Sequence, residues 1–278
     1  MGMDIKQLEK IALNALKKAY QIHQELGASG EELVQKNQFG ETALKVDIEA
    51  EKAVIDVLRK AKVPIRIISE EHGTTQIGDN PIYLGILDGL DGSGVYKKER
   101  GKGRYGTILG IFSNINPKYE DYLFSGVMEH STKRLFYAIK GKGSFVIVDG
   151  KPGHIHCSES KILDKNTRIY VDEYSEINRR VFSSKLQGFR VTYSGSSAVY
   201  YVDLANGNAD LVLECTRKRN LEIAGVYGLE IESGGCIVGL DGASLGSQKY
   251  LEFGQDKQIP VISASTEELA KQLIKHIK

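Results

Sequence analysis

The sequence predicts an α/β fold in two halves, residues 1–150 and 151–278, with α+β character in the N-terminal half. In that half, a pair of helix-spaced apolar segments precedes a run of strands joined by short turns. Beyond Gly150 strand and helix patterns alternate, which fits two α/β halves meeting near residue 150 better than one continuous sheet. Between the opening helices and the strand run lies Leu84-Gly85-Ile86-Leu87-Asp88-Gly89-Leu90-Asp91-Gly92-Ser93-Gly94, an apolar run suited to a buried strand that ends in two aspartates and a glycine-rich turn.

Taken in order, Asp4 is placed to cap a first helix whose Leu8, Ile11, Ala12, Ala15, Ala19, Ile22 and Leu26 share a face, with a stop at Gly27. Residues 28–45 carry glycines and polar side chains and read as a mobile loop. A second helix follows from about Asp47, with Val46, Ala50, Val54, Val57 and Ala61 at helical spacing. Pro64 ends it and opens a short strand at 65–68 that delivers Ser69-Glu70-Glu71-His72-Gly73. After the turn at 78–81 comes the strand carrying the two aspartates. Residues 107–113, 122–129, 134–139 and 145–149 read as an antiparallel meander. In the C-terminal half, 168–172, 209–214, 236–239 and 260–263 read as strands and 176–186, 196–205 and 221–232 as helices. A capping box of Ser265 with Glu268 opens the last helix.

The bulk properties narrow the function classes. A formal net charge of +1 argues against binding nucleic acid through a basic face. No apolar run approaches the roughly 20 residues needed to span a bilayer. The opening Met1-Gly2-Met3-Asp4 does not read as a signal peptide, and Lys6 stands where a myristoylation signal requires Ser or Thr. Cys157, Cys215 and Cys236 are scattered and lack metal-ligand spacing, so they read as reduced core thiols of a cytoplasmic protein.

The chemistry-bearing residues are acids: Asp47, Glu51, Glu70, Glu71, Asp88, Asp91 and Glu222. Any one of the 36 acids in this chain reads first as solvated surface. Glu70-Glu71 and Asp88–Asp91, however, both terminate apolar strands. If those strands are neighbours, three or four carboxylates meet, and such a cluster repels itself unless divalent cations neutralise it. All-oxygen ligands suit Mg²⁺ or Mn²⁺, whereas zinc would call for histidine or thiolate. The glycines after Asp91 free backbone N–H groups to converge on an anion. A calcium loop is the nearest look-alike, but it requires acids at alternate positions and a closing Glu, and position 90 is Leu.

Asp88-Gly89-Leu90-Asp91-Gly92-Ser93 resembles the Asp-Pro-Ile/Leu-Asp-Gly-Thr/Ser signature of the inositol monophosphatase and fructose-1,6-bisphosphatase superfamily. Lys45-Val46-Asp47-Ile48-Glu49-Ala50-Glu51 resembles its Asp-x-x-x-Glu, and Ser69-Glu70-Glu71 its Gly/Ser-Glu-Glu. Leu221-Glu222-Ile223-Ala224-Gly225 with Glu232-Ser233-Gly234-Gly235 resembles its late Trp-Asp-x-Ala-Ala-Gly and Glu-Ala-Gly-Gly. The stretches 138–145 and 195–210 also resemble family segments, so the likeness spans nearly the whole chain. It implies a layered α-β-α-β-α sandwich of the sugar-phosphatase type, commonly a homodimer. It also implies a Mg²⁺-dependent, lithium-sensitive phosphomonoesterase holding two to three ions, with Mn²⁺ as a substitute. By position, Glu70, Asp88 and the Leu90 carbonyl would hold one metal, and Asp88, Asp91 and Glu222 a second; a weaker third would lie near Glu70. Gly92 and Ser93 would grip the phosphate through their N–H groups, if a helix begins there. Asp47 and Ser93, with Glu70, would orient a metal-activated water for in-line attack on phosphorus. Ser196 and Glu214 fall near substrate-facing positions of the family. Read as residues alone, Ser196 is equally a helix cap and Glu214 a surface strand end.

Three positions depart from the pattern. Glu222 stands for Asp, Leu221 for an aromatic residue and Gly89 for proline, while Ser93 for Thr is within the family range and retains the hydroxyl. Gly89 is expected to loosen the metal loop. Lys97, Lys98, Arg100, Lys102 and Arg104 form either a solvated loop or an attractor for a second phosphate. The expected substrate is a small sugar or inositol phosphate, inositol 1-phosphate or fructose 1,6-bisphosphate. A 3'(2'),5'-bisphosphate nucleotidase is the alternative, and a non-catalytic binding relative the rival from another class.

Overall fold

A computed structural model describes residues 2–278. Its elements stack in five layers, α-β-α-β-α. Helices α1 (Ile5–Leu26) and α2 (Lys45–Lys60) follow the expected apolar stripes, burying Leu8, Ala12, Ala15, Ala19, Ala50 and Val54. They cover one face of an eight-stranded sheet made of β3 (Ile65–Ser69), β4 (Gly73–Ile77), β5 (Tyr83–Asp91), β6 (Gly106–Phe112), β7 (Tyr122–Glu129), β8 (Arg134–Ile139), β9 (Gly143–Val148) and β10 (Lys151–Ile155), in the order β10-β9-β8-β7-β6-β5-β3-β4. All nine residues of β5 are buried, as a strand covered on both faces requires. The short α3 (Ser93–Glu99) follows β5 directly.

A second sheet takes its strands from β11 (Arg168–Val171), β12 (Arg190–Thr192), β13 (Leu211–Cys215), β14 (Cys236–Gly239) and β15 (Pro260–Ala264), in the order β12-β11-β13-β15-β14. Helices α5 (Ser197–Ala205) and α6 (Leu221–Glu232) lie between the two sheets, buried on all sides for most of their length. The outer face of the small sheet is covered by α4 (Glu176–Val181) and α7 (Glu267–Ile277). Three large hydrophobic cores result: one between α1–α2 and the eight-stranded sheet, one around α5–α6 that reaches both sheets, and one between the small sheet and α4 with α7. No helix among the described residues is long and apolar enough to cross a membrane.

Several local expectations are corrected. The stretch expected as a mobile loop forms an antiparallel pair, β1 (Leu33–Lys36) with β2 (Thr42–Leu44). All four β1 residues are exposed, so no apolar alternation announces the strand. Asp4 precedes α1, but its side chain makes no capping bond. The last helix is capped one residue later than expected, by Thr266 accepting from Leu269 N at 3.2 Å. The helix expected over 176–186 gives way after Val181 to a 3₁₀ turn. β4, β10 and β12 are additions to the expected strands, and each is a sheet edge with mixed or exposed side chains.

Candidate active site

β3 and β5 are parallel neighbours, with Ser69 opposite Leu87, so Glu70 leaves the sheet beside Asp88. Asp88 and Asp91 are three residues apart, a spacing that would point them to opposite faces of a regular strand. A bulge corrects this. Asp88 pairs with Ile108 and Asp91 with Gly106, so Gly89 and Leu90 together oppose Thr107 alone. The additional residue restores both carboxylates to one face. Thr107 Oγ1 donates to the Gly89 carbonyl at 2.7 Å and meets His130 Nε2 at 2.9 Å, while His23 Nε2 lies 3.3 Å from the same carbonyl. The His23 and His130 rings stack at 3.6 Å behind the bulge, and burial pushes the His23 pKa down to about 4.

The third carboxylate comes from the first turn of α6. Carboxylate oxygens of Asp88, Asp91 and Glu222 lie within 4.8 Å of one another, and all three residues are buried. Asp91 is fastened by Ala198 N at 2.7 Å and by the Ser196 hydroxyl. Ser196 also caps α5 by accepting from Val199 N, so its two readings hold together. Asp47, on α2, lies against the bulge. Its Oδ1 has no hydrogen-bond partner among the described residues. Burial, then the neighbouring charges of Glu70, Glu51 and Glu71, hold the Asp47 carboxyl well above its usual range. Asp88 is raised likewise, by burial and by Glu70, Asp47, Asp91 and Glu222. Buried, mutually repelling oxygens with an unsatisfied member fit a hard divalent cation.

These side chains line a cleft of about 460 Å³ together with Leu90, Gly92, Ser93, Ser196 and Ser197. Gly92 (φ 92°) turns the chain into α3, which begins at Ser93. Of the predicted site residues, Asp47, Glu70, Asp88, Leu90, Asp91, Gly92, Ser93, Ser196 and Glu222 all face the cleft. Glu214 does not. It is 3% exposed behind the wall, where it accepts from the Ser197 hydroxyl, and burial pushes its pKa up to about 8. Glu51 is also withdrawn, bracing the 70–72 turn by accepting from Glu71 N and His72 N at 3.0 Å each.

The basic stretch after Gly94 is sorted by the fold. Arg100 pairs with Glu31, Arg104 pairs with Glu129 and Asp203, and of the five only Lys98 reaches the cleft. Two cations that sequence reasoning missed do reach it. Lys218 Nζ lies 2.6 Å from Glu70 Oε1 and 2.8 Å from Glu41 Oε2, and Arg217 Nε lies 3.4 Å from Glu222 Oε1. The signal that could have found them is the basic triplet Arg217-Lys218-Arg219 shortly before Leu221-Glu222. Asp172, Tyr174 and Tyr193 complete the rim and belong to no motif.

The model of the inositol monophosphatase family matches residues 4–278. A fructose-1,6-bisphosphatase/inositol-1-monophosphatase of Archaeoglobus fulgidus is 30% identical over 84% of this chain and 82% of its own length. A bifunctional NADP phosphatase/NAD kinase of Methanocaldococcus jannaschii is 28% identical over 80% of this chain, which spans only 42% of that relative. Among solved structures, the extragenic suppressor protein suhB of Bartonella henselae superposes with a TM-score of 0.78 at 17% identity, covering 98% of each chain.

Proposed function

Because this chain belongs to the inositol monophosphatase family, we propose that it hydrolyses a small phosphomonoester with the help of bound Mg²⁺. The observation that carries this reading is the convergence of Asp88, Asp91 and Glu222 within 4.8 Å beside the start of α3. Asp88, Asp91 and Glu222 would hold one cation, and Glu70 with Asp88 and Leu90 would face a second position. A divalent ion there would supply charge neutralisation for the phosphate and acidify the attacking water. The protein's own groups do the positioning. The N–H groups of Gly92 and Ser93 grip the phosphate oxygens, and Asp47 with the exposed Ser93 hydroxyl aligns the water with phosphorus.

A cleft of about 460 Å³ is in the range of a sugar or inositol phosphate, which supports inositol 1-phosphate and fructose 1,6-bisphosphate as substrates. One feature favours a second reading, a nucleotide phosphate. An adjoining cleft of about 670 Å³ shares Asp172, Tyr174, Arg217 and Lys218 with the first, and Tyr174 and Tyr193 at the rim are 76% and 48% exposed, free to stack on a base. Three unpaired cysteines accord with a cytoplasmic setting.

Phosphate release from inositol 1-phosphate, fructose 1,6-bisphosphate, adenosine 3',5'-bisphosphate and NADP, each with and without Mg²⁺, tests this. Mg²⁺-dependent release from either sugar phosphate is the expected result, and release confined to the nucleotides establishes the second reading. Release from none of the four would set aside both substrate readings.

A further inference from the structure

The connection between β13 and α6 is strained. Lys218, Arg219 and Asn220 are three successive non-glycine residues in the left-handed region, with φ of 45°, 58° and 56°. Side chains disfavour this conformation, and strain of this kind persists where the surroundings enforce it. Here the twist carries a lysine ammonium into a carboxylate cleft. Lys218 is clasped by Glu70 and Glu41 at 2.6 and 2.8 Å, and its side chain is 21% exposed.

The acids of the cleft are thereby divided. Asp88, Asp91 and Glu222 form a cage touched by one cationic side chain, Arg217, at 3.4 Å from Glu222. Glu70 is instead already neutralised by Lys218, at ion-pair distance and from within the same chain. Among the described residues, Asp47, Glu70, Asp88, Asp91 and Glu222 meet only Arg217 and Lys218 at ion-pair distance, and Asp47, Asp88 and Asp91 have no cationic partner at that distance.

We infer that Lys218 is a tethered cation at the Glu70 end of the cleft, occupying the place of one divalent ion. This rests on the reading of the cleft as a metal centre, and it predicts one ion fewer than the carboxylates would otherwise hold. A tethered ammonium is present at fixed effective concentration, so it neutralises Glu70 whatever the free metal level, and the cage alone responds to that level.

The test is Mn²⁺ binding to the whole, metal-stripped chain, counted by the electron paramagnetic resonance signal of the free ion. Lys218→Met should bind one more Mn²⁺ per chain than the unaltered protein, and Lys218→Arg, which keeps the positive charge, should bind the unaltered number. Lys218→Gln serves in place of the methionine variant if that chain fails to fold, as judged by circular dichroism. Equal counts in the unaltered and neutral variants overturn the inference alone. No Mn²⁺ bound by any of them overturns the metal-centre reading as well.

Discussion

Gly89 sits where the family resemblance implies proline, a change expected to loosen the loop. The structure differs, for a steric reason. The Gly89 carbonyl is held by Thr107, and a Cβ at this position would lie 2.5 Å from the Asp47 carbonyl oxygen, 2.6 Å from Asp47 Oδ1 and 2.9 Å from Glu51 Cγ. The absent side chain is what lets α2 press Asp47 against the bulge. Gly89→Ala should therefore displace Asp47, lower kcat at least tenfold, and destabilise the fold by about 1–3 kcal/mol through overpacking. Steady-state kinetics alongside urea denaturation check this, and a fully active variant would show that Asp47 has slack. The Asp-x-x-Asp spacing is legible in the sequence. The bulge that makes it work is not, because a bulge depends on how many residues the partner strand presents.

At the scale of elements, α6 places Glu222 by lying unusually close to β6. A Cβ on Gly225 would collide with Ile108 Cγ2, and one on Gly110 would lie 2.8 Å from Gly225 Cα. Helix and strand meet backbone to backbone, which brings the first turn of α6 down to the end of β5. Gly225→Val should lift the helix, at a loss of about 1–3 kcal/mol, and should raise the Mn²⁺ concentration needed to fill the cage. Thermal denaturation and Mn²⁺ titration measure the two effects, and intact affinity in a destabilised variant would separate helix depth from metal binding. The apolar run of α6 gives its bounds, 221–232, directly from the sequence. Its depth is hidden there, since a glycine in a sequence does not reveal which neighbour fills the space. β4, β10 and β12 escape sequence reading for a related reason. Edge strands bury little, so hydrogen bonding to a neighbour defines them more than any apolar pattern does.

Across the whole molecule, three apolar cores hold a rigid frame around a charged cleft, and the cleft works against the frame's stability. Burial pushes the Glu71 carboxyl up to about 7 and raises Asp47, Asp88 and Asp91. The unfolded chain releases these protons in the ordinary carboxylate range, near 4. The metal-free folded protein holds them to higher pH, so its stability should fall as pH rises from about 4 towards 7. A divalent ion replaces the protons. At a hundredfold excess over its Kd it should add about 2.7 kcal/mol, with a larger shift at about pH 8 than at about pH 5.5, because protons compete for the same oxygens. Thermal denaturation in EDTA and in Mg²⁺ at both pH values decides this, and a Mg²⁺ shift that is absent, or equal at the two, would contradict the cluster's role.

The sequence by itself determined the kinds of layer, most helices and inner strands, and the carboxylates that gather at the strand ends. Apolar periodicity and turn residues are local properties, and they can be read without knowing what lies opposite. The tertiary structure decided which of those groups actually meet. It withdrew Glu214 behind the wall, rotated Asp91 into line through the bulge, and delivered Lys218 to Glu70 from 148 residues away. Such encounters depend on packing between segments distant in the chain, where a single residue of register or the space of one Cβ changes the outcome.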